Sequence, residues 1–383
     1  MCKKNIRTIA VSILLMLVFQ MTKGQSEIRL SLLTCGTGSE LYSSFGHSAV
    51  RVVSASDSID IIYNFGIFDF NDPEFYSKFM NGIMLYMLGT QQTEEFMMDY
   101  NDEKRWVNEQ KINLPDTTQT ALLEWLKFTR KPENRKYYYD FLRNNCSSKL
   151  RDIVMIMQYQ NIKFNNPRLN KTHRDLITEC LRENKWANFG INILLSSLID
   201  KKVTSFDEMF LPDYLSKHGE KATINGTPIL GKPVLINQIP ITYPSWHFSF
   251  IDPIMMMLYL LIISILYRKN WLRNTFFIIF GILGVFLIFM WFGTEQTYVK
   301  YNYNILWINP LYLILVPLLA FKKQLISFWI LASILLCQLF VIVVWIIGLQ
   351  GYDIGFFPLM VMLLVYGIRE LINLKKKIPI KCC

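Results

Sequence analysis

Up to about residue 250, apolar positions alternate or recur at helical spacing; beyond Pro253 they merge into long unbroken runs. In the first region, Ile28 to Leu33, Ser48 to Val53 and Asp60 to Phe65 read as strands. Within Ala49-Val50-Arg51-Val52-Val53 the alternation is partly broken, which leaves the facing of that strand open. Helical spacing predicts helices over about 73–82, 116–129, 146–158, 172–184 and 188–199. In the second of these, Leu122, Leu123, Trp125 and Leu126 gather near one face, a core pattern. Turn signals at Asn165-Asn166-Pro167, Gly226-Thr227-Pro228 and Gly231-Lys232-Pro233 separate the elements. The fold class expected for this region is α+β.

The second region predicts a membrane domain. Apolar runs cover about 253–267, 275–293, 303–321, 325–348 and 354–374, each near the roughly 20 residues that cross a bilayer. Positive charge falls in alternate connections: Arg268, Lys269 and Arg273, then Lys322-Lys323, then Lys375-Lys376-Lys377. By the positive-inside rule these three lie in the cytoplasm, and five spans put the preceding domain on the opposite side. The N-terminus agrees. Lys3, Lys4 and Arg7 precede a short apolar run, Ile9 to Val18, and Gly24 follows, as in a cleaved signal peptide. An uncleaved anchor is the alternative. The expected organisation is a signal peptide over 1–24, an extracytoplasmic domain over 25–250 and an all-α membrane domain of five helices over 251–383, its C-terminus cytoplasmic.

Composition supports the division and removes some functions. Of the 383 residues 52% are hydrophobic, and the formal charge is +10. The basic residues of the second half sit at helix ends and form no stripe, so nucleic acid is not an expected partner. Seven cysteines are present. Cys35, Cys146 and Cys180 fall in the extracytoplasmic domain, without the close spacing of a zinc site or a disulfide framework. A reactive thiol and a Cys35–Cys180 disulfide both stay open. No metal and no cofactor is expected.

Two short segments carry the candidate chemistry, Phe45-Gly46-His47-Ser48 and Asn144-Asn145-Cys146-Ser147. Asparagine caps a helix, and Cys146 then falls in its first turn, where unpaired N–H groups lower a thiol pKa and can hold a tetrahedral oxyanion. His47, on a predicted strand after a glycine, is the natural base. A hairpin brings Tyr63-Asn64-Phe65-Gly66 beside it, and either Asn64 or Tyr63 is placed to orient the imidazole. In the second half, Glu295 lies close to the bilayer as a candidate for amine or headgroup contact. Asn304 and Asn309 are candidates for a substrate entrance, with helix packing as the alternative.

The run from Ser31 to Val52, with Phe45-Gly46-His47-Ser48 inside it, resembles the opening of a Bacteroidota family of membrane lipoprotein N-acyltransferases, the Lnb type. Tyr63-Asn64-Phe65-Gly66, Tyr137 to Phe141 with Asn145-Cys146-Ser147, and Phe210-Leu211-Pro212-Asp213-Tyr214 are similar to its later motifs. The order of histidine before cysteine also resembles circularly permuted papain-like enzymes of the lecithin:retinol acyltransferase group. The resemblance implies that Cys146 is a nucleophile and His47 its base. It implies transfer of a fatty acyl chain from a membrane phospholipid, through a Cys146 thioester, to the α-amine of diacylglyceryl-modified lipoproteins. It implies an enzyme of the bacterial inner membrane with its catalytic domain in the periplasm. It also implies a histidine in the loop after the second span, where this chain has Gln296. The alternative is a papain-like thiol amidase or hydrolase acting on cell-wall peptides or lipids. A non-catalytic binding protein is the third reading.

Overall fold

The computed structural model describes residues 28–54, 58–68, 73–158 and 161–378. The expected signal peptide lies outside the described residues. The first half is built on an antiparallel sheet of seven strands: β1 (Ile28–Cys35), β2 (His47–Ser54), β3 (Ile59–Ile67), β4 (Leu85–Gln92), β5 (Val107–Lys111), β6 (Lys136–Tyr138) and β7 (Val234–Leu235). Their order across the sheet is β7-β5-β1-β2-β3-β4-β6. Helices α1 (Phe75–Asn81), α2 (Thr93–Asp102), α3 (Asp116–Arg130) and α4 (Cys146–Gln158) connect and cover these strands. Next come α5 (His173–Cys180), α6 (Lys185–Leu194), the single turn α7 (Ser205–Glu208) and α8 (Pro212–Lys221).

The broken alternation in β2 now has a cause. Both faces of the sheet are covered, so residues of either parity are buried. On one face Leu30, Leu32, Val50, Val52, Tyr63, Phe65 and Leu88 pack under Leu122 and Leu126 of α3, Leu150 of α4 and Leu215 of α8. On the other, Leu33, Ala49 and Ile62 pack with Phe96 and Tyr100 of α2. Helix α4 lies against β2 and β3, which carries its N-terminus to the His47 end of the sheet.

The second half holds α9 (Pro253–Leu266), α10 (Asn270–Phe292), α11 (Leu311–Ala320), α12 (Gln324–Ile346) and α13 (Phe356–Lys377). Two short 3-10 turns, Thr297–Val299 and Tyr303–Leu306, lead into α11. Among the described residues, four stretches are long and apolar enough to cross a membrane: Asn270–Phe292, Thr297–Ala320, Gln324–Ile346 and Phe356–Lys377. Helix α9 has 14 residues, about 21 Å at 1.5 Å per residue, and falls short of a hydrocarbon core of roughly 30 Å. Among the described residues four full-length candidates thus stand where five were expected, because the first apolar run, 253–267, folds as a helix of only 14 residues.

The two halves are joined by α6. Its Phe189 belongs to the core of the membrane half, edge-on to Phe356 at 5.0 Å between ring centroids. Its last carbonyls are capped from the other half. Asn302 Nδ2 donates to the carbonyls of Ile193 and Leu194 at 2.8 and 2.9 Å, and Asn304 Nδ2 to those of Asn192 and Ile193 at 3.1 and 3.0 Å. Lys185 pairs with Asp252 at 2.7 Å, just before α9.

Candidate active site

The site forms where β2 and β3 diverge. Their pairing ends at Val50 opposite Tyr63, while β2 stays paired with β1 as far as His47 opposite Cys35. Gly46 makes the turn into β2 at φ +72°, and a Cβ there would meet the Cys35 carbonyl at 2.8 Å, so only glycine suits the position. Past the last β2–β3 pair, His47 Nε2 and Asn64 Oδ1 are 2.6 Å apart. That contact leaves Nδ1 of the imidazole for the thiol.

Cys146 arrives from α4. Asn145 caps the helix: its Oδ1 accepts from the N–H groups of Ser147 and Ser148 at 3.0 and 2.8 Å. Its Nδ2 donates to the Phe141 and Phe210 carbonyls at 2.9 and 2.8 Å, so the cap is held on both sides. The expectation that several first-turn N–H groups are free to hold an oxyanion is corrected here. Asn145 takes two of them, and the N–H of Cys146 itself stays open among the described residues. Ser147 Oγ sits 2.9 Å from Ser48 Oγ, which pins the start of the helix to the strand. The motif at 210–214 serves both segments: Phe210 holds Asn145, and Pro212 packs where a Gly46 side chain would stand.

The electrostatics favour a charged pair. Burial pushes the Cys146 thiol up, but the His47 charge, its hydrogen bond, the Ser48 N–H and the Ser147 hydroxyl outweigh burial and draw it down to about 7. For His47, burial favours the neutral ring. The charge and hydrogen bond of Cys146, with the Asn64 contact, overcome this and raise its pKa. A thiolate beside an imidazolium is the nucleophile such a site needs. The other two thiols of this half are different. Cys35 and Cys180 are free, and burial pushes each to about 12. The disulfide left open by the sequence is therefore not formed.

Three tyrosines to which the sequence assigns no role stand near the thiol, two of them, Tyr137 and Tyr139, within the Tyr137 to Phe141 motif. Burial and then the thiolate charge raise the Tyr86 and Tyr137 hydroxyls, Tyr86 to about 12. Tyr139 shares the environment, its ring 4.2 Å from that of Tyr86. The Tyr137 hydroxyl is enclosed and has no hydrogen-bond partner among the described residues. Its place opposite Tyr86 follows from the pairing of β4 with β6, which three residues of sequence do not announce.

Other expected residues fall elsewhere. Tyr63 alternates with Asn64 along β3, joins the core under α3, and has the charges of Arg130, Lys127 and Glu124 around its hydroxyl. It does not orient His47. Asn304 is fully buried and saturated: beyond its two donated bonds, its Oδ1 accepts from Trp307 Nε1 at 2.9 Å. Asn309 Oδ1 accepts from the Leu311 N–H at 3.0 Å, at the head of α11. Both asparagines bond to backbone groups of the protein. Glu295 is exposed, and its N–H donates to the Asn81 carbonyl at 2.9 Å. Gln296 donates from Nε2 to the Phe79 carbonyl at 2.6 Å. Among the described residues, no three His, Cys, Asp or Glu side chains gather as metal ligands.

The segment leading to Cys146 is also tied to the membrane half. Asp140 Oδ1 accepts from the Leu142 and Arg143 N–H groups and from the Tyr298 hydroxyl, the last at 2.7 Å. A family model for the Lnb N-terminal periplasmic domain matches residues 20–178, and one for the Lnb transmembrane domain matches residues 245–378. The chain belongs to the Lnb family. Comparison with curated proteins and with solved structures finds no match. As a family member it is a multi-pass membrane protein with a periplasmic N-terminal domain. The Cys146–His47–Asn64 cluster lies in the part matched by the periplasmic Lnb model.

Proposed function

We propose that this protein is a thiol-dependent lipoprotein N-acyltransferase of the bacterial inner membrane. The observation that carries the reading is a helix-capped thiol drawn to about 7 beside a histidine that Asn64 orients, in a domain fixed to membrane helices. In the first step the Cys146 thiolate attacks an ester carbonyl of a membrane phospholipid. The Cys146 N–H holds the oxyanion, and His47 gives its proton to the departing lysophospholipid oxygen, leaving a thioester. In the second step the α-amine of a diacylglyceryl-modified lipoprotein attacks the thioester. His47 takes the amine proton, an amide forms, and the thiolate–imidazolium pair returns.

The permuted papain-like arrangement belongs to this reading, with a helix-borne cysteine set against a strand-borne histidine. So does a periplasmic domain opposite a cytoplasmic C-terminus, which takes five crossings. The aromatic stretch before α9, with Trp246, Phe248 and Phe250 exposed, extends that short helix toward the boundary. The test is mass spectrometry of lipoprotein N-terminal peptides from cells lacking this protein, re-expressing wild type or Cys146→Ala. Wild type is expected to restore N-acylated cysteine, and an equally abundant mutant to leave the free amine. Unchanged N-acylation in every strain, with no second enzyme to supply it, overturns the proposal. Release of free fatty acid or cleaved peptide instead marks a hydrolase.

A further inference from the structure

We propose that helix α1, with the turn that leads from it into β4, dips into the membrane, with the acyl region of the periplasmic-side leaflet as its occupant. It carries a cluster of exposed apolar side chains. Phe79 is 54% exposed, Met80 40%, Ile83 43% and Leu85 43%, and Tyr138, opposite Leu85 across the β4–β6 pair, is 66% exposed. A contiguous patch of this kind on a polar domain marks an interaction surface.

Its position selects lipid as the partner. Asn81 and Phe79 accept hydrogen bonds from Glu295 and Gln296, which directly follow α10. Gly82 closes α1 at φ +74°, and a Cβ there would meet the Gln296 backbone N at 2.9 Å, so helix and loop are in backbone contact. Helix α10 has 23 residues, about 34 Å long, and so spans the hydrocarbon core with Phe292 at its outer boundary. Around that point Trp291 and Tyr301 lie 5.5 Å apart, and Phe292 is 77% exposed, as in an interfacial aromatic belt. Glu295 is three residues beyond, and α1 is bonded to it. The short helix is therefore held at headgroup depth, with its apolar side chains free to enter the leaflet.

The same strands lead to the thiol. Leu85 and Tyr138 are exposed, and the next pair, Tyr86 and Tyr137, stands near Cys146. Because β6 ends the sheet, an acyl chain passing over Phe79 and Met80 has one strand edge to round before it reaches the sulfur. This delivery route rests on the acyl-transfer reading; the dipping itself does not.

The test uses the full-length protein in phosphatidylethanolamine vesicles, with the photo-crosslinker p-benzoylphenylalanine replacing Phe79 or Met80. Phe289, exposed on α10, and Ile156, exposed near the far end of α4, are the references. Lipid adducts at 79 and 80 are expected within about threefold of those at 289 and at least tenfold above those at 156. Yields at 79 and 80 equal to that at 156, while 289 labels, overturn the inference. A second arm combines Phe79→Asp with Met80→Asp. Transfer from vesicle-borne donor is expected to fall tenfold or more, with the pH midpoint of Cys146 alkylation unchanged. Wild-type transfer rates in this variant overturn the delivery route. Adducts at 79 and 80 in a protein with no transferase activity support the dipping and count against the proposed function alone.

Discussion

The site around Cys146 and the cap over α6 are both polar and at least half-buried, but they treat their hydrogen bonds differently. At the cap, Asn302 and Asn304 use both ends of their amides. Asn302 Oδ1 accepts from the Asn304 N–H at 3.0 Å, and Gln350 closes the network by accepting from the Tyr303 N–H at 2.8 Å. At the site, the Cys146 N–H and the Tyr137 hydroxyl have no acceptor among the described residues. A buried group without a partner costs about 1–3 kcal/mol, so a fold keeps few of them. Saturated polarity holds two halves together, whereas the open donors near the Cys146 thiol are the ones the proposed transfer would use.

The sharpest test of that difference is Cys146→Ala. It is expected to abolish transfer from phospholipid vesicles to a diacylglyceryl-cysteine peptide, with thermal unfolding unchanged within a few degrees. Next is His47→Ala, expected to lower transfer by roughly 10²–10⁴, the range of a lost general acid–base. The same variant moves a pH profile. A thiol is deprotonated above its pKa, so iodoacetamide alkylation of Cys146 is expected to rise with pH through about 7 in wild type. Without His47 that midpoint moves upward, toward the value of an ordinary thiol. Cys35 and Cys180, pushed to about 12, stay protonated and slow in this range.

Asn64→Ala is expected to cost less, on the order of ten- to a hundredfold, as for other groups that orient a functional histidine. Loss equal to that of His47→Ala would break the ranking. Asn304→Ala acts on the other region. It leaves the α6 carbonyls under-satisfied, at about 1–3 kcal/mol of stability, read as a lower melting temperature, with the turnover of the folded fraction preserved. The smallest effect is expected from Glu295→Gln, exposed and bound only through its backbone: transfer within about twofold of wild type.

Much of this was legible from residue order alone, and the failures have physical causes. Strands β1 to β3 and helices α3 and α4 announce themselves by apolar spacing, and Asn145 reads as a cap. The polar strand β5, Val-Asn-Glu-Gln-Lys, does not, although its Gln110 is fully buried. Its burial comes from neighbours supplied by distant segments, and no local pattern encodes them. The choice between Asn64 and Tyr63 was open for a related reason. One residue of offset decides which face of β3 a side chain takes, and the partly broken alternation gave no phase. For Asn304 and Asn309 the sequence leaves a substrate entrance and helix packing equally open, because polarity near a bilayer suits both. Their partners are mostly backbone groups, one set more than a hundred residues away.

The bond from Tyr298 to Asp140 bears on how this protein can be handled. Asp140 shapes the turn that presents Asn145 and Cys146, and one of its hydrogen-bond donors belongs to a loop between membrane helices. A soluble fragment ending near residue 250 loses that donor together with the cap over α6. Such a fragment can keep its sheet and still hold the Cys146 thiol out of register, so an inactive excised domain would not count against the proposed activity of the intact protein.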